Sequence, residues 1–244
     1  KISVCDSSSA FESTIDLKNG DANLDIGSTT ISTGSNTVLV ALSNTTTGSV
    51  SEATTRLTAV AGLLQVNDRL ELGNSTIGTQ IVKITSKSSV TSNSTHAAFT
   101  INVDNTLQLF TNATANSISR QWEYYDVVDT APGQSDYQAS FGNTSANDEL
   151  HIVVSDAGGK FTGVPGTILE VFKGVSRASD AKTADGSTNF YKTVVNDGSR
   201  YVWWANDRSG AASNTAVDLA SSTNSSPLAL TFQEGQDGDG ESDV

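Results

Sequence analysis

The chain has 244 residues, with 14 Lys and Arg against 27 Asp and Glu, a formal net charge of −13 and an isoelectric point near 4.3. This balance excludes a reader of the phosphate backbone, which needs a basic stripe, and disfavours docking on an anionic membrane surface. The excess negative charge reads as solubility at high local concentration, and no apolar run is long enough to span a bilayer.

Ser, Thr, Asn and Gly are abundant and charged residues make up only 17%, a composition that predicts a β-rich chain with many turns. There is no Met, and Lys1-Ile2-Ser3-Val4-Cys5 opens directly as a strand. That opening reads as a cut piece of a longer protein. A Ser-rich turn follows at 6–9, and 12–36 are polar with weak periodicity. Apolar runs then come at 37–42, 57–60, 63–73, 80–85, 98–103 and 106–110, with a turn at Asn67-Asp68. Short runs at this spacing predict a small antiparallel barrel or sandwich. Residues 118–128, carrying Trp122, Tyr124 and Tyr125, read as a strand leading out of it.

The texture changes near Pro132-Gly133. Strands are expected at 148–156, ending in an Asp-Ala-Gly-Gly turn, at 167–172, at 200–204 and at 228–232. Residues 187–196 predict a short helix with Phe190, Val194 and Val195 on its apolar face. Ser187 or Thr188 is the expected cap and Asp197-Gly198 the stop. The fold class is thus an α+β host domain, 1–11 plus 129–244, made of a mixed sheet with a short helix. It carries an inserted all-β domain, 12–128.

A search for chemistry assigns no catalytic, cofactor-binding or metal-binding residue. Cys5 is the one cysteine and reads as a buried inert thiol. His96 and His151 are far apart, which supports neither a triad nor a zinc site. His151 is expected to point away from the face shared by Leu150 and Ile152, in a structural or solvent-facing role. No nucleophile elbow, phosphate loop or dinucleotide fingerprint is present. Asp148, Glu149, Asp156, Glu170 and Asp180 could supply a glycosidase pair but read better as strand-end and turn residues. Asp237-Gly238-Asp239-Gly240-Glu241-Ser242-Asp243 superficially suits calcium and reads better as a solvated acidic tail. Tyr201, Trp203 and Trp204 suggest sugar stacking, but strand alternation would split them between two faces. Burial between layers is the preferred reading.

An ordered series of segments does carry a resemblance. It comprises Lys1-Ile2-Ser3-Val4-Cys5-Asp6, then 147–156 (Asn147 to Asp156), then 166–176 with its Glu170-Val171-Phe172…Ser176 pattern. Asp180-Ala181-Lys182, Asn189-Phe190-Tyr191, Val194-Val195-Asn196 and Ser199-Arg200-Tyr201-Val202-Trp203-Trp204 follow, and 232–238 resembles a Gly- and Asp-containing turn before an inner domain. Together, over residues 1–10 and roughly 130–244, the chain resembles the contractile tail sheath proteins of myoviruses, in particular T-even-like phages of the marine cyanophage type.

The resemblance implies an outer-domain fragment of a non-enzymatic structural subunit, located in the virion tail sheath and assembled in the host cytoplasm. Such subunits polymerise around the tail tube and contract to drive it through the host envelope, a rearrangement of rigid bodies across interfaces. Its partners would be neighbouring sheath subunits, with tube and baseplate contacts outside this fragment. No cofactor, nucleic acid or membrane insertion is implied. Residues 12–128 depart from the shorter loop of some family members. The alternatives are an adhesion or carbohydrate-binding decoration module, the sheath of a bacterial contractile injection system, and a carbohydrate-active enzyme with an unseen carboxylate pair.

Overall fold

The computed structural model describes residues 1–15, 28–31, 34–74, 78–108, 117–141, 147–205 and 228–230. In chain order the elements are β1 (Ile2–Cys5), α1 (Ser8–Phe11), β2 (Glu12–Ile15), β3 (Ser28–Ile31), β4 (Thr37–Ser43), α2 (Asn44–Thr47), α3 (Val50–Leu63), β5 (Arg69–Asn74), β6 (Gly78–Lys87), β7 (Thr91–Ser92), β8 (His96–Val103), β9 (Ser117–Gln121), α4 (Asp136–Ser140), β10 (Glu149–Asp156), β11 (Thr167–Ser176), α5 (Tyr191–Gly198) and β12 (Leu228–Leu230). The described residues fall into two compact units, one of Lys1–Asp6 with 133–205 and 228–230, the other Ser7–Pro132. The sequence places the corresponding junctions at 11/12 and 128/129.

In the Ser7–Pro132 unit an eight-stranded antiparallel sheet runs β2-β9-β5-β6-β8-β4-β3, with β7 against β8. β6 serves both halves: Gly78–Lys83 pairs with β5, and the strand shifts register after Ile84 to pair with β8. The 14-residue α3 lies on this sheet. Its Ala53, Leu57, Val60 and Ala61 share one core with Val38, Val40, Leu42, Phe99 and Ile101. The helix begins where Ser49 Oγ accepts the Glu52 N–H at 3.1 Å and the spacing Ser49-x-x-Glu52 matches a capping box. At the far end the Leu64 N–H reaches the Ala61 carbonyl at 3.4 Å, and Lys87 Nζ donates to the Ala61 and Leu64 carbonyls, among the terminal acceptors that the helix itself cannot fully satisfy.

In the other unit a four-stranded antiparallel sheet runs β11-β10-β1-β12. Central β10 is buried from Leu150 to Asp156 on both faces, as its Ile152-Val153-Val154 run requires. On one face Leu150, Ile152, Val4 and Val175 pack with Tyr191 and Val195 of α5 and with Val202. Phe190, Phe172 and Trp204 close the rim of this core.

The architecture is therefore mixed α+β, mostly sheet with short helices. Residues 57–60, read as an apolar run in a β-domain, are helical because Ala53, Leu57, Val60, Ala61 and Leu64 fall at helical spacing above the sheet. The unit is not all-β, and among the described residues its sheet is open, with β2 and β3 at its ends rather than closed into a barrel. Of the expected 118–128 strand only 118–121 is extended, as part of β9. Trp122 to Val128 turn back, with the Tyr125 N–H on the Trp122 carbonyl and the Val127 N–H on that of Tyr124. Residues 106–108 and 200–204 form no strand either. The expected cap of α5 is replaced: Phe190 occupies that position without a side-chain bond, and Gly198 is the last helical residue. β12 ends at Leu230, and Phe232 lies outside the described residues.

Candidate functional site

In the unit built on β10, one polar cleft of about 370 Å³ is lined by α4, Glu149 at the start of β10, and residues 182–184 and 189. Each wall has a local cause. α4 starts at Ser135, whose Oγ accepts the Gln138 N–H at 3.3 Å and donates to Asp148 Oδ2 at 2.8 Å. Asp148 also accepts the Ser135 N–H and the Ser176 hydroxyl. The facing wall is a hairpin in which Thr183 N–H bonds the Ser187 carbonyl and Asn189 N–H bonds the Ala181 carbonyl, each at 2.9 Å. Asp185 holds its turn, accepting from Thr183 Oγ1 and from the N–H and hydroxyl of Ser187. The Thr183 bond leads in keeping this carboxyl below its usual range.

Two of the lining residues, Glu149 and Asn189, adjoin a β-bulge. Leu150 pairs with Val175 but Ile152 pairs with Phe172, so β11 carries an extra residue here. Gly174 supplies it with φ +59, a left-handed backbone that glycine adopts without strain. Side chains take up its freed backbone groups: its N–H donates to His151 Nδ1 at 2.9 Å and its carbonyl accepts from Asn189 Nδ2 at 2.9 Å. His151 therefore carries its proton on Nε2. It is buried at 4% exposure, so its role is structural, as one sequence reading had it, and it does not face solvent. Beside the bulge, Glu149 accepts the Gly133 N–H at 3.1 Å. Burial pushes the Glu149 carboxyl up, that N–H pulls it back, and the charges of Asp148 and Asp136 push it up again.

The other carboxylates singled out by sequence do not converge with Glu149 in the cleft. Asp156 accepts from the N–H groups of Lys160, Phe161 and Thr162 at 2.8–3.0 Å and so folds the loop after β10. Glu170 takes the Arg200 N–H at 2.8 Å and the Ser199 hydroxyl at 2.5 Å, anchoring the chain beyond α5. Asp180 is exposed. These carboxylates are thus strand and turn residues, Asp180 lying in a turn. Cys5 is fully buried and in no disulfide, opposite His151 in the β1–β10 register. His96 lies in the other unit, exposed, with Nδ1 at 2.8 Å from Thr95 Oγ1. The acidic run at 237–243 lies outside the described residues.

The aromatic trio is divided, but not into two buried layers. Trp204 packs edge-on to Tyr191 at 4.8 Å, whereas Trp203 is 72% and Tyr201 46% exposed. Tyr201 meets Phe161, itself 76% exposed, at 5.8 Å. Sequence reading named Tyr201 and Trp203 but expected them buried, and it missed Phe161 and the cleft residues Asp136, Tyr137 and Thr183. The cleft residues come from separate segments, and only the fold brings them together. No family model, curated protein or solved structure matches the chain.

Proposed function

We propose that the chain is a structural subunit of a contractile phage tail sheath. It polymerises with neighbouring copies around the tail tube, and the array contracts to drive the tube through the host envelope. The observation that carries this reading is the ordered series of sheath-like segments at 1–6, 147–156, 166–176 and 180–204. In the fold these become β1, β10, β11 and the hairpin with α5, parts of one unit. A resemblance that scattered over unrelated surfaces would carry less weight.

Two physical features support an assembly role. Phe161, Tyr201 and Trp203 are exposed aromatic side chains, the first two in contact, of the kind that marks protein contacts, and the net charge of −13 opposes premature association in solution. Contraction is then a switch between two packings of rigid units, without a chemical step. The protein resides in the virion tail and assembles in the host cytoplasm. The test is immunogold electron microscopy of particles carrying this chain. Label along a sheathed, contractile tail is the expected result, and label confined to any other structure, or to no tail, overturns the proposal.

A further inference from the structure

We infer that the cleft between α4 and the 182–189 hairpin is a binding site for a neutral sugar ring, independent of the assembly role. Its chemistry is mixed in a way that narrows the ligand. Asp136 and Glu149 only accept when ionised, the Lys182 ammonium only donates, and the Ser140 hydroxyl does both. A polyol matches such a set because each hydroxyl both donates and accepts. A small anion is opposed by the Asp136 and Glu149 carboxylates. A simple cation gains nothing from Lys182, and a flat apolar ligand would strand every polar group in the cleft.

Tyr137 completes the match. It lines the cleft and its ring packs on Phe141 at 4.8 Å between centroids, which puts an aromatic side chain within reach of the C–H side of a sugar. Asn189 and Glu149 are held by backbone groups: the Asn189 amide is bonded to the Gly174 carbonyl, and the Glu149 carboxylate to the Gly133 N–H. Partners held in this way lose little conformational entropy on binding. The volume of 370 Å³ falls within the range of small-molecule sites, about 300–1,000 Å³.

The test is saturation-transfer NMR on the whole chain with glucose, galactose, mannose, N-acetylglucosamine, N-acetylneuraminic acid and putrescine as probes. At least one neutral sugar should receive saturation, and the acidic sugar and the diamine should not. Y137A and E149Q should each weaken that sugar by about tenfold or more, the loss expected for a charged hydrogen bond or a stacking face. W203A, at an exposed aromatic side chain, should leave it unchanged. Amide spectra of each variant establish that the fold is kept, and K182A, at an exposed side chain, gives a further variant should E149Q disturb the bulge. Saturation of no neutral sugar, saturation of putrescine alone, or binding lost in W203A but kept in Y137A and E149Q would each overturn the assignment.

Discussion

Arg120 donates from Nε to Asp68 Oδ2 at 2.8 Å, and neither side chain is more than 2% exposed. The same guanidinium reaches back to the carbonyls of Ala10 at 2.6 Å and Ser9 at 3.2 Å, while Asp68 also accepts the Gln65 N–H at 2.9 Å. One buried pair therefore ties α1, the turn before β5 and β9 together. Removing one partner leaves the other charge buried and unpaired. Arg120→Met should cost about 3–5 kcal/mol of stability, read from urea denaturation followed by the fluorescence of buried Trp122. Asp68→Asn keeps an acceptor for Gln65 but leaves the Arg120 guanidinium buried without its counter-charge, and should be destabilising as well. A loss below about 1 kcal/mol for Arg120→Met would remove the pair from its bracing role.

Much of this architecture is legible in the sequence, and the parts that are not have physical reasons. Alternation at Leu70-Glu71-Leu72 and the apolar run at Ile152-Val153-Val154 give β5 and β10 directly. α3 is obscured by Thr54, Thr55 and Thr58, which favour strands. In the helix their hydroxyls bond back to the carbonyls of Val50, Ser51 and Thr54. At 200–204 the alternation is real: Val202 is buried and Trp203 exposed. No ladder forms, because Ser199 Oγ takes the Tyr201 and Val202 N–H groups at 3.1 and 3.0 Å. The cleft was not legible because no local pattern announces groups that meet only after folding.

Gly174→Ala should destabilise the unit built on β10. The substitution forces a side chain into φ +59 and sets its Cβ 3.3 Å from Glu149 Oε1. A left-handed non-glycine residue costs roughly 1–2 kcal/mol, and crowding adds to it. Gly163→Ala, also at positive φ but with open space around it, should show the backbone cost alone. Equal midpoints for the two variants in thermal melts would show that the bulge tolerates the extra carbon.

Glu149 sets a pH dependence. Its carboxyl titrates above the ordinary range because burial disfavours the charge, with Asp148 and Asp136 adding to the effect and the Gly133 N–H opposing it. As pH rises above the unfolded value, the unfolded chain releases this proton first while the native chain holds it. Stability therefore declines up to the raised folded value and is flat beyond it. E149Q should abolish that decline, so its urea midpoint relative to the parent should rise from weakly acidic to neutral pH. A difference independent of pH would assign the group an ordinary titration.

Asp156 carries the opposite sign. Its withdrawal from water works upward, but bonds from Thr162, Phe161 and Lys160 outweigh that and hold the carboxyl low. The stabilisation is present above the unfolded value and lost as pH falls through the depressed folded one. Asp156→Ala should therefore lower the neutral-pH melting temperature, remove this acid-side loss and open the loop at 157–166 to protease. Asp156→Asn, which keeps one acceptor, should fall between the two. Cleavage at the parent rate in Asp156→Ala would show that the loop holds without the carboxylate.

The exposed aromatic side chains separate assembly from folding. Phe161 and Trp203 are each more than 70% exposed, and Phe161 touches Tyr201 edge-on. Substituting such side chains removes little core packing, and Phe161→Ser and Trp203→Ser should change stability by only about 0.5 kcal/mol. At a contact between copies the same changes remove aromatic anchors, which often dominate binding energy. Particles carrying either variant should then show naked or short tails in electron micrographs while the purified chains melt like the parent. Full-length sheathed tails in both variants would place the contacts between copies on another surface, and a large drop in melting temperature would mean that the rings serve the fold rather than the assembly.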